Sequence, residues 1–133
     1  MTPNDIIAAL DLEPHVEGGH YRRTYRHKDG PEGRGYASAI YYLVEGPEPD
    51  RWHKMDADEI WHWYAGSALC LEISEARNGT PIKHMLGNKI TSGERPQILV
   101  PTNHWQRATS LGGWTLVGCT VSPGFSFDGH ILD

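Results

Sequence analysis

Hydrophobic and polar positions alternate in short runs along most of this chain, and only its start departs from that rhythm. Near the N-terminus Ile6, Ile7, Leu10 and Leu12 fall at helical spacing. Thr2 can cap that turn, Pro3 fits the first helical position, and Asp5 sits favourably in the first turn. The spacing predicts one short helix that ends near Pro14. Beyond it the pattern predicts strands at 19–27, 36–44, 51–55, 59–64, 68–75, 81–86, 97–100, 104–109, 114–121 and 129–132. Turn-forming segments separate them, among them KDGPEGRG, EGPEPD, GNKITSGERP and SPGFS. The Asn78–Gly79 step is a hairpin dipeptide. Many short strands at regular spacing predict an all-β sandwich or barrel. With no internal repeat, low-complexity run or linker, residues 1–133 are expected to form one domain.

Composition narrows the function classes. The net charge of -5 leaves no basic excess for the phosphates of a nucleic acid, so that partner class is excluded. No apolar run approaches the ~20 residues needed to span a bilayer. The first residues carry acids and no basic region, unlike a signal peptide, so the expected location is the cytoplasm. Cys70 and Cys119 lie far apart in apolar stretches, with no CxxC, and are expected to be buried reduced thiols. Eight His, five Trp and six Tyr in so short a chain point to a lined cavity.

The chemistry concentrates in WHKMDADEIWHWYAG, residues 52–66. A strand alternates faces at every residue, so His53 and Met55 share one face. After a turn, Glu59, Trp61 and Trp63 share a face, with Ile60, His62 and Tyr64 on the other. A His and a Glu on neighbouring strands, both facing into a barrel, can bind a divalent cation or work as an acid/base pair.

His53 to Gly66 spell H-x-M-x3-E-x6-G, which resembles the first signature of the cupin superfamily with Met55 in place of its second His. The second signature is best matched from Pro101. Gln106 stands there for the last His ligand, Asn103 for the turn Gly and Ser110 for the Asn, while Arg95 takes the leading Gly position. The segments at 12–21, 51–62, 100–106 and 118–127 together are similar to a group of small single-domain cupins. The resemblance implies a double-stranded β-helix, a jelly-roll-like barrel, that forms a homodimer and has a pocket at one mouth. It implies no settled activity.

Three functions are open on these residues, each taking a small-molecule ligand. The first is isomerisation or epimerisation by proton transfer, with His53 as the base and Glu59 orienting it or binding a cation. Tyr21, Tyr41 and Tyr42 are then candidates for the second proton carrier. Trp61, Trp63, Trp105 and Phe125 could stack on a ring, and Arg23 and Arg51 could grip an anionic group. The second is metal-dependent chemistry, with a divalent ion on His53, Glu59 and the weaker donor Gln106. His62 joins that set only if a bulge turns it inward. The third is binding without catalysis. Glu17, Gly18 and Gly19 are expected to form a turn entering a strand. His15, His27, His84, His104 and His130 are expected at the surface or at strand ends.

Overall fold

A computed structural model describes residues 1–31 and 33–133. The turn expected at 28–35 includes Glu32, which lies outside the described residues. Helix α1 spans Pro3–Leu10. Thr2 and Asp5 form a reciprocal capping box, the Asp5 amide donating to the Thr2 hydroxyl at 3.2 Å and the Thr2 amide to the Asp5 carboxylate at 2.9 Å. The helix stops at Asp11, whose left-handed backbone (φ 56°) ends the turn before Pro14 is reached.

Among the described residues eleven strands follow: β1 (Glu13–Pro14), β2 (His20–Arg26), β3 (Ser38–Glu45), β4 (His53–Met55), β5 (Asp58–Gly66), β6 (Leu69–Ser74), β7 (Ile82–Leu86), β8 (Gln97–Val100), β9 (Trp105–Ser110), β10 (Trp114–Ser122) and β11 (His130–Leu132). They form two antiparallel sheets, ordered β1-β2-β3-β10-β5-β8 and β11-β4-β9-β6-β7. The expected strands are all present, and only the two-residue β1 was not foreseen. Strand β4 starts two residues later than expected, at His53, and the Arg51 amide goes to Glu17 O in the loop before β2.

The interior has a dry end and a wet end. Leu69, Leu71, Leu86, Val100, Ala108 and Val117 pack both sheets together in the dry end. Such apolar burial is the main force holding the sheets face to face. Outside the barrel, α1 lays Ile6 on Leu43, Tyr41 and Leu116. Strand β3 therefore alternates, with Tyr41 and Leu43 under the helix and Tyr42 and Val44 inside. No helix among the described residues is long and apolar enough to cross a membrane.

Candidate functional site

The wet end encloses a cavity of about 40 Å³ lined by residues from β2, β3, β4, β5 and β10 and by the loop before β2. His53 and Met55 on β4 and Glu59 on β5 point into it, as their strand parity requires. Tyr21, Ser38, Ile40 and Phe125 form its boundary with an outer groove of about 450 Å³.

The partner of His53 is Glu17. The Oε2 atom of Glu17 lies 3.2 Å from His53 Nε2 and 3.2 Å from His130 Nε2. Glu17 reaches this place because the chain reverses at Gly18 and Gly19, both with positive φ (111° and 73°). A Cβ on Gly19 would lie 2.5 Å from Leu43 O. Arg51 then ties the two side of the pair together through its backbone: its amide donates to Glu17 O at 2.8 Å, and its carbonyl accepts from His53 Nδ1 at 2.8 Å. His130 enters from β11, which pairs with β4 so that Leu132 faces His53 and His130 faces Met55. His15 accepts the Glu17 amide on Nδ1 at 3.1 Å. His130 stands at a strand end, the start of β11, as one of the two expectations had it, but neither it nor His15 is a surface residue, since their side chains are only 3% and 6% exposed. The turn expected at Glu17, Gly18 and Gly19 is present, and it delivers the Glu17 carboxyl inward.

Glu59 occupies a different setting. Its Oε1 accepts from Gln106 Nε2 at 2.8 Å, and Gln106 Oε1 accepts from Trp61 Nε1 at 2.9 Å. Burial raises the Glu59 carboxyl to about 7, against hydrogen bonds from Gln106, Cys119 and Trp61 that hold it down. Burial raises Glu17 well above its ordinary range as well, and Glu59 nearby adds to this. Burial lowers His53 to about 3, so its imidazole is neutral near pH 7, and it lowers His15 to about 4. Tyr42 donates to Gly18 O at 2.8 Å and to Asp50 Oδ2 at 3.0 Å, bracing the same turn from below.

The other expected site residues divide. Tyr21 and Phe125 line both the cavity and the groove, and Arg23 lines the groove. Trp61 and Trp63 do share the inward face of Glu59, but they belong to the dry core and do not line the cavity. Trp105 is outside, under Lys54 at 5.3 Å, because Gln106 takes the inward position on β9. Tyr41 is beneath the helix and contacts no ligand space. The exposed Arg51 guanidinium donates to Asp133 O at 3.2 Å. His62 points outward, against Thr120 and Gln97, since no bulge interrupts β5 before it. Both cysteines are free and buried, and Cys119 lines the cavity.

A metal on the signature positions does not fit these residues. Met55 offers only a soft thioether. Gln106 has its oxygen engaged by Trp61 and its amide nitrogen turned to Glu59, so it presents no donor atom to an ion. His53 and Glu59 remain without a third ligand from that set.

The family described as Cupin superfamily (DUF985) matches over residues 4–132. The chain belongs to that family. A crystal structure of a protein from Shewanella oneidensis is 39% identical, with a TM-score of 0.93 over 100% of this chain and 85% of that one. A hypothetical protein from Leishmania major is 28% identical, with a TM-score of 0.87 over 98% of this chain and 86% of that one. Oxalate decarboxylase of Bacillus subtilis shares the cupin fold, with a TM-score of 0.68 at 13% identity, over 93% of this chain and 31% of that one. No curated protein matches the sequence. The cupin fold expected from His53, Glu59 and the four matching segments is thereby shown.

Proposed function

We propose that this cupin binds a small, oxygen-rich molecule in the wet end of its barrel and isomerises or epimerises it by proton transfer. One observation carries the reading: two carboxyl groups and a neutral imidazole face one small cavity that borders an aromatic-edged groove. A cavity of about 40 Å³ holds a few non-hydrogen atoms, enough for the reacting end of a ligand, with its remainder in the groove. Glu59 takes the role of base and acid that His53 held on sequence grounds. It sits on a rigid strand with its carboxyl fixed by Gln106, whereas His53 is held between Arg51 O and Glu17. Positioned carboxyl groups shielded from bulk solvent are suited to moving a proton next to a carbonyl. Arg23 on the groove wall is the candidate grip for an anionic substituent. The reading includes a cytoplasmic homodimer that covers the exposed Leu99 and Ile82 on the edge strands β8 and β7, which light scattering tests.

The test needs no named substrate. Small hydroxycarbonyl compounds are incubated with the protein in D2O, and carbon-bound deuterium is followed by NMR. The expected result is exchange at a carbon beside a carbonyl, slowed on the order of 10²–10⁴-fold in Glu59→Gln. Exchange undiminished in that variant, or none with any compound, would overturn the reading.

A further inference from the structure

We infer that Glu17, His53 and His130 hold a divalent transition-metal ion, at a position displaced from the cupin signature set. The inference rests on the reading that this cavity is the working site, and it names what would hold a ligand oxygen there.

The argument begins with lone pairs. Arg51 O can only accept, so His53 Nδ1 must carry the hydrogen of their 2.8 Å bond. The neutral ring then presents a bare lone pair on Nε2. That atom faces Glu17 Oε2, itself an acceptor when ionised, at 3.2 Å. His130 Nε2 meets the same oxygen at 3.2 Å, and all three atoms lie within 4.8 Å of one another. A buried lone pair on His53 Nε2 beside the Glu17 carboxyl needs a proton or a metal ion between them, and His130 Nε2 stands where it can ligate the same metal ion. The side chains of His53, Glu17 and His130 are only 2%, 8% and 3% exposed, so bulk solvent does not screen them.

The distances suit an ion. With metal–ligand bonds of about 2.1 Å, neighbouring ligand atoms stand about 3.0 Å apart in an octahedral site and about 3.4 Å in a tetrahedral one. The two contacts of 3.2 Å lie between these limits. Two imidazoles and one carboxylate form the donor set that leaves open positions for other ligands, and it suits Mn²⁺, Fe²⁺ or Zn²⁺ better than Ca²⁺ or Mg²⁺. The cavity provides room for those further ligands. The surrounding bonds are those of a supported site. A ligating His commonly donates its other N–H to a backbone carbonyl, and Arg51 accepts that bond while its own amide fixes the Glu17 backbone.

The experiment is equilibrium dialysis of chelator-treated, untagged full-length protein against Mn²⁺, Zn²⁺ or anaerobic Fe²⁺, with elemental analysis. About one equivalent is expected in the wild type. Glu17→Gln and His130→Gln should each weaken binding by more than the 10–100-fold that loss of a supporting bond costs. Glu59→Gln should still bind. Circular dichroism establishes that each variant is folded. If Glu17→Gln is not, His130→Gln and the absorption spectrum of the Co²⁺-loaded wild type, which reports its ligand set, decide the matter. Failure of the wild type to bind any of the three ions overturns the inference. So does binding that survives in Glu17→Gln but is lost in Glu59→Gln, which would put the ion at the signature position. No metal bound by the wild type, with Glu59-dependent deuterium exchange still seen, would sink this site and leave the proposed function standing. Metal bound at these residues with no exchange on any compound would do the reverse.

Discussion

Two walls of one cavity carry a carboxyl each, and they satisfy it in opposite ways. On the β5 wall, Glu59 receives fixed neutral donors, from Gln106 directly and from Trp61 through Gln106. On the wall built by the loop before β2 and by β11, Glu17 meets imidazole nitrogens, at least one of which is a lone pair. Burial holds a proton on both carboxyls; the donors around Glu59 work against it, while the lone pair beside Glu17 favours a proton or a metal ion between them. On the proposed reading, the barrel assigns proton handling to one wall and ligand anchoring to the other. Burial alone would have treated both groups alike.

The sharpest way to break this comparison is the stability of the chelator-treated protein against pH. The folded Glu59 carboxyl stands near 7 and its ordinary value is 4.5, so the native state binds the extra proton between those values. Its contribution is fully present below pH 4.5 and is lost as pH rises through 7, a fall of about 3 kcal/mol. Urea titrations should show Glu59→Gln more stable than the wild type by that order at pH 8 and equal to it near pH 4.5. Equal pH profiles would mean that the β5 wall does not store a proton.

Next in size is Trp61→Phe. It leaves Gln106 Oε1 without its donor in the core, at a cost of about 1–3 kcal/mol in urea unfolding. Metal affinity should not change, because the other wall is untouched. Gly19→Ala probes that other wall. Its added Cβ meets Leu43 O at 2.5 Å on a backbone of positive φ, so a loss of about 1 kcal/mol or more is expected. Here metal affinity should fall together with stability, since the turn places Glu17. A fall in stability alone would separate the turn from the site. The smallest effects belong to the tyrosine pair. Tyr42→Phe gives up bonds to Gly18 and Asp50, about 1 kcal/mol, while Tyr41→Phe outside the barrel should stay within about 0.5 kcal/mol in thermal melts.

Much of the fold was legible because its signals are local. The capping box at Thr2 and Asp5, the alternation along β5 and the turn dipeptides lie within a few residues of what they control. One residue of parity decided more than composition could. Tyr41 and Tyr42 are chemically equal in the chain, yet only Tyr42 faces inward. The aromatics misled for a related reason: Trp61 and Trp63 point inward, but into the dry end, and no pattern along β5 tells which end of a barrel a position reaches. His53 and Glu59 were visible as a pair six residues apart, and both do face the cavity.

The sequence by itself determined the strands and the N-terminal helix through periodicity and turns, which act over short stretches of chain, and its resemblance to the cupins pointed to the barrel and to His53, Glu59, Tyr21 and Phe125 in its pocket. Only the tertiary structure decided what stands opposite those groups. Glu17 and His130 are 113 residues apart, and nothing in either neighbourhood marks them as partners. They meet because β11 pairs with β4 and the Gly18–Gly19 turn is tied to Arg51, two long-range closures that bring both ends of the chain to one oxygen atom.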